Sequence, residues 1–217
     1  MAKATRQAFG EALADLGDQY PNIVALDADL SKSTMTCHFA QKFPERFFEM
    51  GIAEANMIGV GAGMALSGKI PFLCSFACFV VGRLDTTRMS VGYSQTNVKI
   101  VGTHAGIGIG EDGASQMGLE DVAAMRAIPG ITVIQPADEL ETKQAIEWAA
   151  KTQGPMYFRL TRQKLADVNG ADYQFQAGKG TILADGKDMT IFATGGTVQE
   201  AMEAKKLMAD EGVDARI

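Results

Sequence analysis

The stretch VKIVGTHAGIGIGEDGASQ, Val98 to Gln116, decides how the chain is read. A largely β-branched run ends on a histidine. Alanine, glycine and isoleucine fill the next six places, and Glu111, Asp112 and a Gly-Ala-Ser-Gln turn follow. A short apolar run that stops at such punctuation predicts a strand buried on both faces, as in parallel sheets. The histidine is one of two in 217 residues. Placed between a strand and backbone that turns freely, it predicts a loop beyond the strand's carboxyl end, where α/β proteins gather ligands.

The same grammar repeats outward. NIVALDADL, KIPFLCSF, ITVIQPAD and PMYFRLT read as further strands. Between them lie helical patterns: an opening helix from Thr5 to Leu16, IAEANMIGVGAGMALSG after FPERFFEMG, a helix through Arg83 to Ser90, LEDVAAMRAIP ended by Pro129, and DELETKQAIEWAAK capped by Asp138. Strands and helices in alternation predict the α/β class, an open, mostly parallel sheet with helices on both faces, over residues 1–163. Gly59, Gly61 and Gly63 lower the helicity of their segment by about 1 kcal/mol each, so close approach by another element is expected there. Residues 164–187 carry NG and DG pairs and weak alternation, which predicts a linker with a small hairpin. Residues 188–217 read as strand, Gly-Gly turn, helix and a further strand. One such unit cannot bury a core, so an incomplete start of a second α/β domain is expected.

Composition excludes some functions. Apolar residues make up 47% and the formal net charge is −6, which disfavours a general nucleic-acid binder. No uncharged apolar run reaches the 18 residues or so that a spanning helix needs, so no membrane association is expected. Cys37, Cys74 and Cys78 show no CxxC spacing and read as free thiols in a reducing, cytoplasmic setting. GIGIGEDG lacks the lysine and spacing of a phosphate-gripping glycine loop.

Strand-end topology selects Asp27, Asp29, Phe76, His104 and Arg162 as neighbours of a ligand. Glu54, among alanine, glycine, methionine and isoleucine, reads either as a solvated helix-start acid or as a buried carboxyl facing a ligand nitrogen. Arg6 and Arg162 have an ordinary reading as surface ion pairs, Phe76 and Phe79 as core, and Asp112 as an exposed turn.

Four ordered motifs sharpen the choice: FEMGIAEANMIGVGAGMA, FLCSFACFVVGRLD, VGTHAGIGIGEDGASQ and YFRLTRQ. Together they resemble the pyrimidine-binding domain of the transketolase family of thiamine diphosphate enzymes, followed by the beginning of their C-terminal domain. The diphosphate-binding domain with its GDG metal motif has no counterpart, so the chain resembles the C-terminal section of a split transketolase. The resemblance implies a partner, an N-terminal diphosphate-binding subunit. With it come a heterotetramer, sugar-phosphate substrates, and Mg or Ca ligated mainly by that partner. Glu54 matches the glutamate that hydrogen-bonds the cofactor's pyrimidine, Phe76 the aromatic residue that stacks on it, and Phe79 a position aromatic in many relatives. Arg6, Ser33, His104 and Arg162 match residues that contact the substrate phosphate, and Asp112 one that contacts a sugar hydroxyl. The implied activity is transfer of a two-carbon ketol unit, with Glu54, His104 and Gln116 nearest the chemistry.

Gln116 departs from the pattern, since many transketolases carry histidine there. Glutamine cannot shuttle a proton near neutral pH, so acid–base work would pass to other groups. The alternatives are a non-catalytic scaffold or regulatory paralogue, or another thiamine diphosphate subunit such as deoxyxylulose-phosphate synthase-like or oxo-acid dehydrogenase β. His38 matches no family role.

Overall fold

A computed structural model describes residues 2–217. A short strand β1 (Lys3–Ala4) leads into α1 (Thr5–Gln19), followed by β2 (Ile23–Asp27), α2 (Ser31–Thr34), α3 (Cys37–Lys42) and β3 (Phe47–Glu49). Then come α4 (Glu54–Leu66), β4 (Ile70–Phe76), α5 (Ala77–Val81) and α6 (Leu84–Thr86), which runs into a π-helical segment, Thr87–Tyr93. The remaining elements of the main body are β5 (Lys99–Thr103), α7 (Asp121–Arg126), β6 (Thr132–Ile134), α8 (Glu139–Lys151) and β7 (Met156–Arg159).

Six strands form one sheet in the order β3-β2-β4-β5-β7-β6, and every pairing in it is parallel. The expected α/β class is therefore observed. Alternation along the strands sends side chains to two separate cores. Phe72, Val101 and Phe158 meet Phe9 and Leu13 of α1 and Ile146 of α8 on one face. Leu73, Ile100 and Tyr157 meet Met57 and Ile58 of α4 and Met125 of α7 on the other. Full burial of each such side chain stabilises by about 1.5–3 kcal/mol. Asp138 caps α8 as its sequence predicts: its carboxylate accepts from Glu141 N at 2.9 Å, and the Glu141 carboxylate accepts from Ala137 N at 2.7 Å.

Two features differ from the sequence reading. FPERFFEMG contributes the edge strand β3, too short and too exposed to show a period. The expected hairpin within 164–187 does not form. Instead β8 (Lys164–Leu165) pairs antiparallel with β1. Beyond it the segment is tied to α8: Asp138 Oδ2 accepts from Val168 N and Asn169 N, and Gln144 bonds Tyr173 O and Phe175 N. Local turn signals were present, but these long-range bonds took the backbone groups that a hairpin would pair. Last come β9 (Met189–Thr190), α9 (Thr197–Asp210) and β10 (Ala215–Arg216), with β9 and β10 parallel.

The α4 glycines divide. A Cβ on Gly61 would collide with the Leu73 side chain, whereas Gly59 and Gly63 face open space. Ile52, just before α4, and Leu66, at its end, are 84% and 76% exposed, so large apolar side chains flank the two open glycines.

Candidate active site at the carboxyl edge of the sheet

Glu54 opens α4 and is 5% exposed. The helix N-terminus favours a carboxylate there, and its one described hydrogen bond comes from the Ser75 hydroxyl at 3.2 Å, at the end of β4. The carboxyl lines a cavity of about 370 Å³ shared with Ala28, Asp29, Leu30, Ile52, Cys78, Phe79 and Arg83. Glu54 is therefore a buried and not a solvated helix-start acid. Phe79 forms the aromatic wall. Phe76 is not on the lining; it stacks with Phe79 at 5.5 Å between centroids and with the His104 ring at 3.8 Å.

His104 directly follows β5 with φ of +56°, a conformation that costs a non-glycine residue roughly 1–2 kcal/mol. The strain is held by contacts on both ring nitrogens, Thr103 Oγ1 at 2.9 Å from Nδ1 and Arg6 Nη1 at 3.2 Å from Nε2. The glycine-rich loop after it is pinned at its base. Gly106 N donates to Gly118 O at 2.8 Å, and Ala105 N to Leu160 O at 3.1 Å. Gly106 and Gly110 adopt φ of +78° and +83°, which explains glycine at those turns. At the loop's tip Arg162 donates to Ile109 O at 2.6 Å and pairs with Glu111 and Asp112.

Arg6, near the start of α1, reaches the same place. Its Nη1 donates to Ser33 O at 2.5 Å, and its Nε is buried without a partner. Burial and the charge of Arg162 lower its pKa, with Asp112 acting the other way. The structure thus brings Arg6, Ser33, His104, Asp112 and Arg162 together, one short step from the Glu54 cavity through the Phe76–His104 stack. Gln116 ends a 3-10 turn on the loop, and its side chain has no described hydrogen bond. His38, in α3, takes no part.

Several working residues escaped sequence reasoning. Asp27 was placed at a strand end but its task was not seen: fully buried, it accepts from Leu30 N, Thr34 Oγ1 and Thr36 Oγ1 at 2.6–2.8 Å. The loop carrying Asp29 and the short helix α2 carrying Ser33 are folded around this carboxylate, and two threonines seven and nine places on were the only signal. Ser75 and Thr103 hold Glu54 and His104. Asp121, also fully buried, accepts from Tyr157 Oη at 2.7 Å and Arg159 Nε at 2.9 Å, while Arg159 Nη2 donates to Gly118 O at the loop's base. Among the described residues no three His, Cys, Asp or Glu side chains converge as a metal site, and no helix is long and apolar enough to cross a membrane.

Burial, then the charges of Arg6 and Arg162, push the His104 pKa down to about 3 from 6.5. Between those values the unfolded chain takes up a proton that the folded site refuses, so stability falls as pH drops below 6.5. Burial raises Asp27 to about 6 from 3.8, with the opposite sign: the fold gains as pH falls through 6. His104→Gln removes only the first effect. Between pH 7 and pH 5 wild type should lose about 2 kcal/mol more stability than this variant, measured by urea unfolding. Equal losses would contradict a neutral, buried His104.

Comparison with known proteins agrees with this fold. The family models for the transketolase pyrimidine-binding domain and the transketolase C-terminal domain match residues 1–167 and 178–217. A putative transketolase C-terminal section from Methanocaldococcus jannaschii is 50% identical over 99% of this chain and 69% of its own length. A split-gene transketolase, described as an inactive β4 tetramer, superposes with TM-score 0.91 at 48% identity, over 100% of this chain and 71% of that one. Transketolase from Pichia stipitis, in complex with sedoheptulose 7-phosphate, superposes with TM-score 0.90 at 30% identity, and this chain spans 34% of its length while being covered to 100%. The chain belongs to the transketolase family, whose members depend on thiamine diphosphate.

Proposed function

We propose that this chain is the pyrimidine-binding subunit of a split transketolase that moves a two-carbon ketol unit between sugar phosphates. The observation that carries the reading is the pairing of a buried carboxyl at a cavity, Glu54, with an adjacent cationic cluster holding an unpartnered guanidinium nitrogen on Arg6. The cavity fits a flat heteroaromatic ring with a polar edge. Leu30, Ile52 and Phe79 supply apolar walls, and Glu54 supplies the one carboxyl buried at its rim. When bound, thiamine diphosphate supplies the electron sink for the carbon–carbon bond beside a ketose carbonyl.

The residues here bind, orient and exclude water. Glu54 would hold a ring nitrogen of the cofactor by hydrogen bond, its position set by Ser75. Phe79 would flank the ring, with Phe76 stacked against Phe79 and His104. Arg6 and Arg162, with Ser33 and His104, form the phosphate end of the substrate site, since guanidinium donors suit a phosphoryl dianion. Asp112 would accept from a sugar hydroxyl. Gln116 would contribute hydrogen bonds without acid–base work.

The diphosphate and its Mg or Ca ion are assigned to an N-terminal partner subunit, with two copies of each chain in a heterotetramer. Support comes from the relative described as a C-terminal section and from the inactivity of a tetramer of one chain type. The exposed face of α4 beside Glu54 suits such a contact. Three free cysteines fit a cytoplasmic setting. The test is a donor half-reaction with thiamine diphosphate and Mg, with and without the diphosphate-binding subunit, across several phosphorylated ketoses. Consumption of a ketose phosphate only with both subunits is expected. Silence of a properly assembled complex on every donor would favour a scaffold.

A further inference from the structure

Ala28, Asp29 and Leu30 line the Glu54 cavity. The chain then turns through α2 to Ser33, whose carbonyl oxygen accepts from Arg6 Nη1. One reversal after β2 therefore serves both the ring end and the anion end of the site. Local preference alone does not hold this reversal. Asp29 and Met35, on either side of α2, sit at φ of +62° and +70°, a region that side chains with a Cβ seldom occupy.

Asp27 supplies the anchor. At 0% exposure, its Oδ1 accepts from Leu30 N at 2.7 Å, and its Oδ2 from Thr34 Oγ1 at 2.6 Å and Thr36 Oγ1 at 2.8 Å. Leu30 passes the anchor on, because its own carbonyl oxygen accepts from Ser33 N at 2.7 Å and Thr34 N at 2.9 Å. The far side of the reversal closes on α1. A Cβ on Gly10 would collide with the Met35 carbonyl oxygen, one helical turn from Arg6. Glu49 also accepts from Asp29 N, at 2.7 Å, but that contact is exposed and open to replacement by water. The contacts of Asp27 are not.

We infer that Asp27 is a positioning residue for both ends of the site: its buried carboxylate fixes residues 28–36, so that Asp29 and Leu30 wall the Glu54 cavity while the Ser33 carbonyl sets the Arg6 guanidinium. This rests on the proposed function in taking the occupants to be the cofactor ring and a sugar phosphate.

The test uses the chain assembled with the diphosphate-binding subunit. Asp27→Leu removes the acceptor. Asp27→Asn keeps an oxygen for Leu30 N and offers N–H groups to the two threonines, and Thr34 can turn its own proton to Leu30 O at 3.3 Å. In the leucine variant, Kd for thiamine diphosphate with Mg, by calorimetry, and KM for a phosphorylated ketose should both rise about 10–100-fold. Saturated kcat should change far less, and the asparagine variant should stay within a few-fold of wild type. Arg6→Ala should raise the ketose KM alone. Ile146→Ala, in the core under α8, loses stability and should move neither constant. Amide exchange at Leu30 should quicken in Asp27→Leu, with Ile100 in β5 unchanged. Where the leucine variant does not assemble, Thr36→Val, which removes one donor at nearly constant volume, should raise both constants a few-fold. Unmoved constants, an asparagine variant no better than leucine, or the same pattern in Ile146→Ala would overturn the inference. Calorimetry and exchange need no sugar. If they shift as expected in a complex that consumes no ketose phosphate, the proposed function fails and the role of Asp27 stands.

Discussion

Glu54→Ala in the assembled enzyme is expected to lose turnover by about 10²–10⁴-fold, the range for removal of a group that controls proton position. The fold should survive. The substitution vacates a carboxyl on a cavity rim and leaves the Ser75 hydroxyl without its 3.2 Å acceptor, a cost of roughly 1–3 kcal/mol in a two-sided core that Glu54 does not fill. Activity and thermal unfolding measured on the same preparation separate the two effects. Glu54→Gln sharpens the result, because it keeps shape and hydrogen bonding but cannot exchange a proton. Turnover like wild type in the alanine variant would remove Glu54 from the chemistry.

The largest stability effect is expected at Asp121. Its carboxylate, at 0% exposure, is the acceptor for both Tyr157 Oη and Arg159 Nε. Asp121→Ala leaves a half-buried guanidinium and a buried phenol without that partner. Breaking a buried ion pair in this way costs about 3–5 kcal/mol, which for a chain of this size lowers Tm by roughly 6–20 °C. Arg159 also donates to Gly118 O, so the loop base that carries His104 and Asp112 should loosen first, seen as faster amide exchange at Gly106. Asp121→Asn, which keeps one acceptor, should cost clearly less. A loss below about 1 kcal/mol in the alanine variant would show that solvent or neighbouring groups replace the carboxylate.

These two sites differ in how they could be found. Glu54 was legible because it sits in an ordered motif whose neighbours are small and apolar. The same holds for His104 at a strand end and for Arg6, Ser33, Asp112 and Arg162, which the resemblance named. Asp121 was not legible. Its sequence neighbours read as an ordinary acidic helix start, and its partners lie 36 and 38 residues away. Lys99 is similar: fully buried, its ammonium donates to Asn97 Oδ1, Thr152 O and Gly154 O at 2.7–2.8 Å, in a position that reads as the start of a strand.

What the chain determined by itself was therefore the local and the periodic. Apolar runs such as KIVGT and IVALD make strands buried on both faces, Asp138 starts a helix, and glycines at positive φ turn the loop after His104. These follow from each residue's own conformational and burial preferences, which neighbours a few places away can express. Tertiary structure decided the rest: the sheet order that sets β7 between β5 and β6, the pairing of β1 with β8, and the place of Phe79 on the cavity wall with Phe76 off it. It also decided the partners of His104, among them an arginine 98 residues distant. Hydrogen-bond donors and acceptors carry no address in the sequence. Which of them meet is chosen only when two apolar faces close on the sheet and bring remote strand ends to one edge.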